Sequence, residues 1–281
     1  KGVPYVLFAE SHLAEPRRAW VRAAKHLLVP LAVRHAAAWL ATGTLARRHL
    51  VHYGADPARI WTFANTVDVG VLAARAAELR PRRDEIRARL GLPAEGVVVL
   101  HAGRLLPVKA VDVLIEAAAH AGGVHLLIVG DGPERRALER AAARAGVGAT
   151  FTGFLAEHDL VEAYVAADVF ALLSRRETWG VVVNEAAACG LPLVLSHGVG
   201  AATDLLVAGV NGELVPVGDV DATASALHLL ARDPERRRKQ GLRSTEISAS
   251  WGYGSTIESF GTAVGAALAD AQETAARGRS K

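Results

Sequence analysis

The stretch SRRETWGVVVNEAAACGLP, Ser174–Pro192, decides how the rest of the chain is read. The apolar run Val169–Leu173 leads into it, and Pro192 opens the next apolar run. Between them the pattern predicts a helix that begins near Trp179 or Gly180 and stops at Gly190. The first N–H groups of a helix lack partners within it, so such an end attracts anions, phosphate above all. That makes Gly180, Val181 and Val182 a candidate anion cradle. Glu177 lies just before the helix and Glu185 inside it. Carboxylates beside a phosphate site repel phosphate unless they face other groups, and their natural partners are hydroxyls. The implied ligand is phosphate in the middle and polyhydroxylated at both ends.

Working outward, strands and helices alternate. Val97–His101, His125–Val129, Thr150–Thr152, Val169–Leu173, Leu193–Ser196 and Glu213–Val215 read as strands. Val111–Ala121, Pro133–Ala145, Glu157–Ala167, Thr203–Val207, Asp219–Ala231 and Pro234–Leu242 read as helices between or after them. The strand runs show little polar alternation, so both faces are buried. The fold class is therefore α/β with a doubly wound parallel sheet, whose ligands bind beyond the carboxyl ends of the strands. Upstream, Val3–Ala9 reads as a strand. Residues 16–40 read as a helix that Pro30 should break or kink. Its apolar face is Trp20, Ala24, Leu27, Leu28, Leu31 and Trp39. Thr44–Tyr53 reads as a helix and Ile60–Phe63 as a short strand. Leu72–Leu90 is Arg-rich and helical, and a domain boundary is expected around Gly91-Leu92-Pro93. Ser255–Ala276 is a further helical pattern.

Composition narrows the function. The 281 residues, 51% of them hydrophobic, suffice for two domains. The net charge of +3 is not concentrated in one block, which argues against a nucleic-acid partner. The single cysteine, Cys189, forms no internal disulfide, which suits a reducing compartment. No apolar run is long enough to span a membrane. The absence of methionine, even at position 1, leads us to expect that an N-terminal part of a larger protein is missing.

The usual nucleotide fingerprints fail. Neither Gly130-Asp131-Gly132 nor Gly198-Val199-Gly200 completes G-x-G-x-x-G, and there is no P-loop lysine. Asp219-Val220-Asp221 reads as helix capping rather than a metal site, and no His/Cys cluster has metal-ligand spacing. The strand ends are more informative. Gly103 and Arg104 follow one strand, with Lys109 five residues on; a fork and a point charge together suit a diphosphate. Phe154 and Leu155 follow another, where a ring could meet a planar base. Each of these alone has a bland reading as a solvated loop or packed turn. Convergence on one crevice carries the argument.

GRLLPVKAVDVLIEA, VGDGPER, FTGFL, LLSRRETWGVVVNEAAACGLPLVLS and GVNGELV occur in the order found in retaining GT-B glycosyltransferases of the family 4 type, which the chain resembles. The resemblance is good over about residues 93–245 and looser over the first 70. It rests chiefly on the spacing of Glu177 and Glu185 with its flanks. It implies two Rossmann-like domains, the N-terminal one incomplete: a remnant over 1–75, a linker over 76–92, the nucleotide-sugar domain over 93–245, and a returning helix over 246–281. It implies Arg104 and Lys109, beside Gly103, on the donor diphosphate and Gly180–Val182 at the β-phosphate. Glu185 falls on the ribose hydroxyls, Phe154 and Leu155 at the base, and Glu177 near the sugar's reacting centre. His12 resembles the family's active-site histidine.

The function implied is sugar transfer from a nucleotide diphosphate, such as a UDP- or GDP-sugar, to an acceptor hydroxyl with retention, in polysaccharide or glycolipid synthesis. No metal or further cofactor is implied. The rivals are another GT-B enzyme, such as a phosphorylase or nucleotide-sugar epimerase, and a non-catalytic binding module. The acceptor, a glycan or lipid-linked glycan, stays open. The expected location is cytoplasmic. Residues 17–39 carry Trp, Leu and Arg suited to a peripheral contact on the cytosolic membrane face, though ordinary packing on the N-terminal sheet is preferred. One departure stands out: the family's glycine after the lysine is Ala110 here. If that position needs positive φ, alanine is strained.

Overall fold

The computed structural model describes residues 3–10 and 19–279. The chain forms two compact units. One draws on the residues up to Asn65 and from Trp251 onward, and the other is Thr66–Ser250.

The first unit contains β1 (Val6–Ala9), α1 (Ala19–His35), β2 (Ala38–Ala41), α2 (Thr44–His52), β3 (Ile60–Thr62) and the chain's last helix, Tyr253–Arg279. The strands pair in parallel in the order β1-β2-β3, with Val6 opposite Ala38 and Leu40 opposite Trp61. Successive side chains of a strand point to opposite faces, and β2 is buried on both. Trp39 and Ala41 pack with Val33, Leu50, Tyr53 and Ile60, while Ala38 and Leu40 pack with Ala263 and Ala267 of the last helix. Arg59 fastens that helix through an ion pair with Asp270 at 2.7 Å.

This corrects the sequence reading in two places. Residues 38–41 are the central strand, not the end of a helix; a short Ala-Trp-Leu-Ala run has no period of its own, and pairing on both sides decides it. The face expected to pack on the sheet is also different. Leu27, Leu28 and Leu31 are 72%, 61% and 55% exposed, and Val33 is the buried residue. α1 runs on through Pro30. The side chains of Trp20 and Ala24 lie outside the described residues.

The second unit runs α3 (Val69–Leu79), α4 (Arg83–Arg89), β4 (Val97–Ala102), α5 (Val111–Ala121), β5 (Val124–Val129), α6 (Arg135–Ala145) and β6 (Ala149–Gly153). It continues with α7 (Glu157–Ala166), β7 (Val169–Leu172), α8 (Val182–Ala188), β8 (Leu193–Ser196), α9 (Ala202–Leu205), β9 (Gly212–Val215), α10 (Val220–Arg232) and α11 (Pro234–Ala249). Its six strands are all parallel, in the order β6-β5-β4-β7-β8-β9. The chain enters at the centre with β4, works outward to β6, and then crosses to β7 on the other side of β4. The carboxyl ends of β4 and β7 therefore meet where the winding reverses, the place at which open α/β sheets hold ligands.

The strand composition follows from this layering. Val97, Val99, Leu126, Ile128, Val169 and Ala171 share one core with α5, α6 and α10. Their alternates Val98, Leu100, Leu127, Phe170 and Leu172 are also fully buried, under the opposite layer that includes α7 and α8. Two covered faces require continuous apolar runs, as the sequence shows. Asp219 caps α10, its carboxylate accepting the Ala222 N–H at 2.9 Å, as the capping reading expected.

The stretch 76–92, read from the sequence as a linker within an Arg-rich helical pattern, holds the end of α3 and all of α4. A turn at Arg80-Pro81-Arg82 splits the predicted long helix into α3 and α4, because proline cannot supply the N–H the helix needs. Both helices pack on α7. Arg83 and Arg87 reach Asp168, just before β7, at 2.8 and 2.6 Å.

Candidate active site

Six loops leave the carboxyl edge of the second sheet, and glycines let neighbouring ones lie backbone to backbone. A Cβ on Gly130 would stand 2.0 Å from the Gly103 carbonyl oxygen, and one on Gly132 would stand 2.3 Å from that of Leu105. Likewise a Cβ on Gly198 would meet the Ser174 oxygen at 2.2 Å and one on Gly200 the Thr178 oxygen at 2.0 Å. The two G-x-G runs that failed as nucleotide fingerprints are thus close-approach points between neighbouring strand ends. The signal in the sequence is the placing of glycines just after strands.

The second pair positions Glu177. Its N–H donates to the Gly198 carbonyl at 2.8 Å, and its own carbonyl accepts from the Gly200 N–H at 2.9 Å. The Ala201 N–H then donates to the Trp179 carbonyl at 2.9 Å. Replacing Gly200 by alanine should force these backbones apart. We expect a loss of about 1–3 kcal/mol, the usual cost of overpacking, read from urea unfolding. Unchanged stability would show that the two loops can separate freely.

Lys109 comes from the loop after β4. Residues 107–109 make a single 3-10 turn, and Ala110 follows at φ 53°, ψ 41°, fully buried. The position does need positive φ, so the alanine there carries strain of about 1–2 kcal/mol that glycine would avoid. The turn is clamped from the β7 side. The Arg175 N–H donates to the Val108 carbonyl at 2.7 Å, its Nε to the Pro107 carbonyl at 3.3 Å, and its guanidinium pairs with Asp112 at 2.8 Å. The sequence reading did not single out Arg175.

Lys109 Nζ forms an ion pair with Glu177 Oε2, and the Ser174 hydroxyl donates to the same oxygen at 3.4 Å. The structure thus brings together, at the reversal of the sheet, the cation assigned to phosphate and the carboxylate assigned to sugar. The neighbouring helix starts later than expected, at Val182, because Gly180 adopts φ +95°. The N–H groups of Gly180, Val181 and Val182 have no hydrogen-bond partner among the described residues, and those of Val183, Asn184 and Glu185 are satisfied by the Gly180 and Val181 carbonyls. The Trp179 indole N–H donates to Asn184 at 2.9 Å, closing the turn.

Glu185 accepts from the Tyr164 hydroxyl at 2.6 Å. Burial, and then the Glu185 charge, hold the Tyr164 phenol well above its ordinary pKa, so it stays a donor. Cys189 is pushed up to about 12, by burial and then by Glu185, which leaves it an inert thiol. Gly103 follows β4 and donates its N–H to the Val129 carbonyl at 3.0 Å. Arg104 follows, exposed and with no partner among the described residues. Phe154 and Leu155 follow β6 at the same edge of the sheet, and Phe154 is 84% exposed. His12 lies outside the described residues.

His101 on β4 is a residue the sequence reading missed. It is 1% exposed, beneath Gly103, with Nδ1 at 3.3 Å from the Ala171 carbonyl and Nε2 unpartnered. Burial, and then the Lys109 charge, lower its pKa from 6.5 to about 4. Between these values the unfolded chain binds more protons than the folded one, so stability rises with pH across that window and falls on acidification. Going from pH 7 to pH 5 should cost the protein about 2 kcal/mol more than it costs a His101→Phe variant, by urea unfolding. Parallel pH profiles would show that His101 does not carry this term.

With this geometry in view, the comparisons with known proteins decide the family. The model of the family "Glycosyl transferases group 1" matches residues 82–246, more than half of the chain. The chain belongs to the group 1 glycosyl transferases. Its fold is of the GT-B type. Within that family it is 33% identical over 242 residues to a D-inositol 3-phosphate glycosyltransferase of Kineococcus radiotolerans, covering 75% of this chain and 53% of the relative. The enzyme of the same name from Mycolicibacterium smegmatis is 33% identical over 227 residues, covering 78% and 50%. This group 1 chain thus spans about half the length of the curated relatives it matches. Among solved structures, Anabaena HepE in complex with UDP and glucose aligns with TM-score 0.75 at 25% identity, over 92% of this chain and 71% of that one. Sucrose-phosphate synthase of Thermosynechococcus elongatus aligns with TM-score 0.70 at 22% identity, covering 98% and 68%. Among the described residues no helix is long and apolar enough to cross a membrane.

Proposed function

We propose that the protein transfers a sugar from a nucleotide diphosphate to an acceptor hydroxyl with retention, in polysaccharide or glycolipid synthesis. The observation that carries this reading is the meeting of Lys109 and Glu177 at the reversal of the sheet, beside the open amides of Gly180–Val182. Charge builds on the β-phosphate as the sugar leaves. In this reading Lys109, Arg104 and those amides oppose it electrostatically. Glu177 takes the sugar's hydroxyls near the reacting centre. Glu185, with Tyr164 holding one oxygen, takes the ribose, and exposed Phe154 with Leu155 takes the base. His12 is assigned beside the sugar by resemblance. HepE's complex with UDP and glucose makes UDP-glucose the first donor to try. The relatives' names make an inositol phosphate the first acceptor to set beside a glycan or lipid-linked glycan.

Calorimetry with UDP, GDP and ADP tests the reading. One of them should bind, and Glu185→Ala should weaken that binding about tenfold by removing a charge-assisted bond. Binding of none would favour a non-catalytic module. Transfer to inorganic phosphate, or inversion at a sugar carbon without transfer, would favour a phosphorylase or an epimerase.

A peripheral membrane contact through α1 is supported by the exposure of its Leu27, Leu28 and Leu31. It predicts co-sedimentation with anionic vesicles in preference to neutral ones, and equal recovery with both would remove it.

A further inference from the structure

Lys109 and Glu177 sit on the two loops that meet where the sheet reverses, and in the ligand-free fold each is the other's partner. Their backbones are pinned. Arg175 clamps the turn that carries Lys109, and the loop after β8 holds the backbone of Glu177 through the Gly198 carbonyl and the Gly200 N–H. The two side chains are left as the parts that can move. Both are mostly shielded, with 19% and 20% of the side chain exposed. The pair is therefore less screened than a surface ion pair, and breaking it leaves a carboxylate with little water around it.

Resting on the reading of this place as a donor site, we propose that the Lys109–Glu177 ion pair is a latch that makes the site prefer an intact nucleotide sugar over the spent nucleoside diphosphate. A diphosphate that draws on Lys109 competes with Glu177 for its charge. The carboxylate then keeps the Ser174 hydroxyl at 3.4 Å and needs further donors. A sugar attached to the β-phosphate brings hydroxyl donors to the carboxylate that has just been vacated. A bare diphosphate brings none, and its terminal phosphate adds negative charge next to the stranded carboxylate. Opening the latch thus favours the ligand that replaces both partners. After transfer the same contact reforms as the nucleotide loses its sugar, which helps expel the product. The site discriminates by the presence of the sugar and not only by the fit of base and phosphates.

The test is a double-mutant cycle in binding, with UDP and UDP-glucose as probes and circular dichroism to confirm folding. Glu177→Gln should bind UDP on the order of five- to tenfold more tightly than wild type, because Lys109 is no longer held by a charge. The same variant should gain nothing towards UDP-glucose, where it loses its sugar contacts. In a Lys109→Met background the Glu177→Gln change should give a clearly smaller gain in UDP affinity, because the part of the effect that runs through the lysine is gone. Equal or weaker UDP binding by Glu177→Gln would overturn the latch. So would an undiminished gain in the Lys109→Met background, which would mean plain repulsion between Glu177 and the diphosphate. If wild type and variant bind neither UDP, GDP nor ADP, the donor-site reading itself falls, and the latch with it.

Discussion

Replacing Glu177 by alanine should lower kcat for sugar transfer by about 10²–10³-fold, the usual cost of one preorganised group lost from the reacting centre. The structure gives three reasons to place so large an effect on this residue. The carboxylate stands at the reversal of the sheet, where the ends of β4 and β7 meet. Its backbone is fixed by bonds to Gly198 and Gly200, so its position is set before any ligand arrives. It already faces Lys109, the cation assigned to the departing phosphate. The pattern across kinetic constants distinguishes its role from that of Glu185. Loss of Glu177 should reduce kcat while improving nucleotide affinity. Loss of Glu185 should raise the donor KM with a smaller change in kcat, because ribose contacts act in ground and transition state alike. Steady-state rates with a bound donor decide between them. Wild-type turnover by the Glu177→Ala protein would remove Glu177 from the chemistry.

Much of this arrangement is legible in the sequence. The continuous apolar runs announce a parallel sheet with both faces covered. The two glutamates of Ser174–Pro192 point to the end of β7, where the structure sets Glu177 against Lys109. What stays hidden is of two physical kinds. The first is choice among short segments with no period of their own. Ala38–Ala41 becomes a central strand because β1 and β3 lie on either side of it, which no local pattern reports. The long helix over 72–90 breaks at Arg80-Pro81-Arg82, and the start of α8 slips to Val182 because Gly180 takes positive φ. The second kind is three-dimensional partnership. Arg175 clamps a turn 66 to 68 residues earlier, Tyr164 holds Glu185, and His101 lies buried beneath Gly103. Arg, Tyr and His are common in solvated and core positions, so their types alone point nowhere. The glycine pairs stand between these cases. Their spacing is visible, but a G-x-G run suggests a nucleotide fingerprint first, and close approach of two backbones shows only once the strand ends are side by side.

The largest stability effect is expected far from the candidate site, at Arg87. This guanidinium is buried, and its pKa is lowered by burial against the opposing pull of Asp168. Its Nε donates to the Ala166 carbonyl at 2.9 Å, and its terminal nitrogens reach Asp168 at 2.6 Å and the Ala94 and Gly96 carbonyls at 3.3 Å. Asp168 in turn accepts from Arg83 at 2.8 Å and from the Val98 N–H at 2.8 Å. One ionic knot therefore ties α4 to the entry of both strands whose far ends form the site. Arg87→Ala leaves the carboxylate short of a charge partner and several carbonyls without donors. Breaking a buried pair from one side in this way costs about 3–5 kcal/mol, enough to threaten a protein of ordinary stability. Removing both charges should cost less than the two single losses combined, because the second change deletes the group that the first one strands. The exposed pair Arg75–Glu78, at a similar 2.9 Å, is the control: its loss should cost less than about 1 kcal/mol. Urea unfolding of Arg87→Ala, Asp168→Ala, the double variant and Arg75→Ala measures all four terms. Equal losses at Arg87 and Arg75 would mean that the knot is a surface contact in all but position.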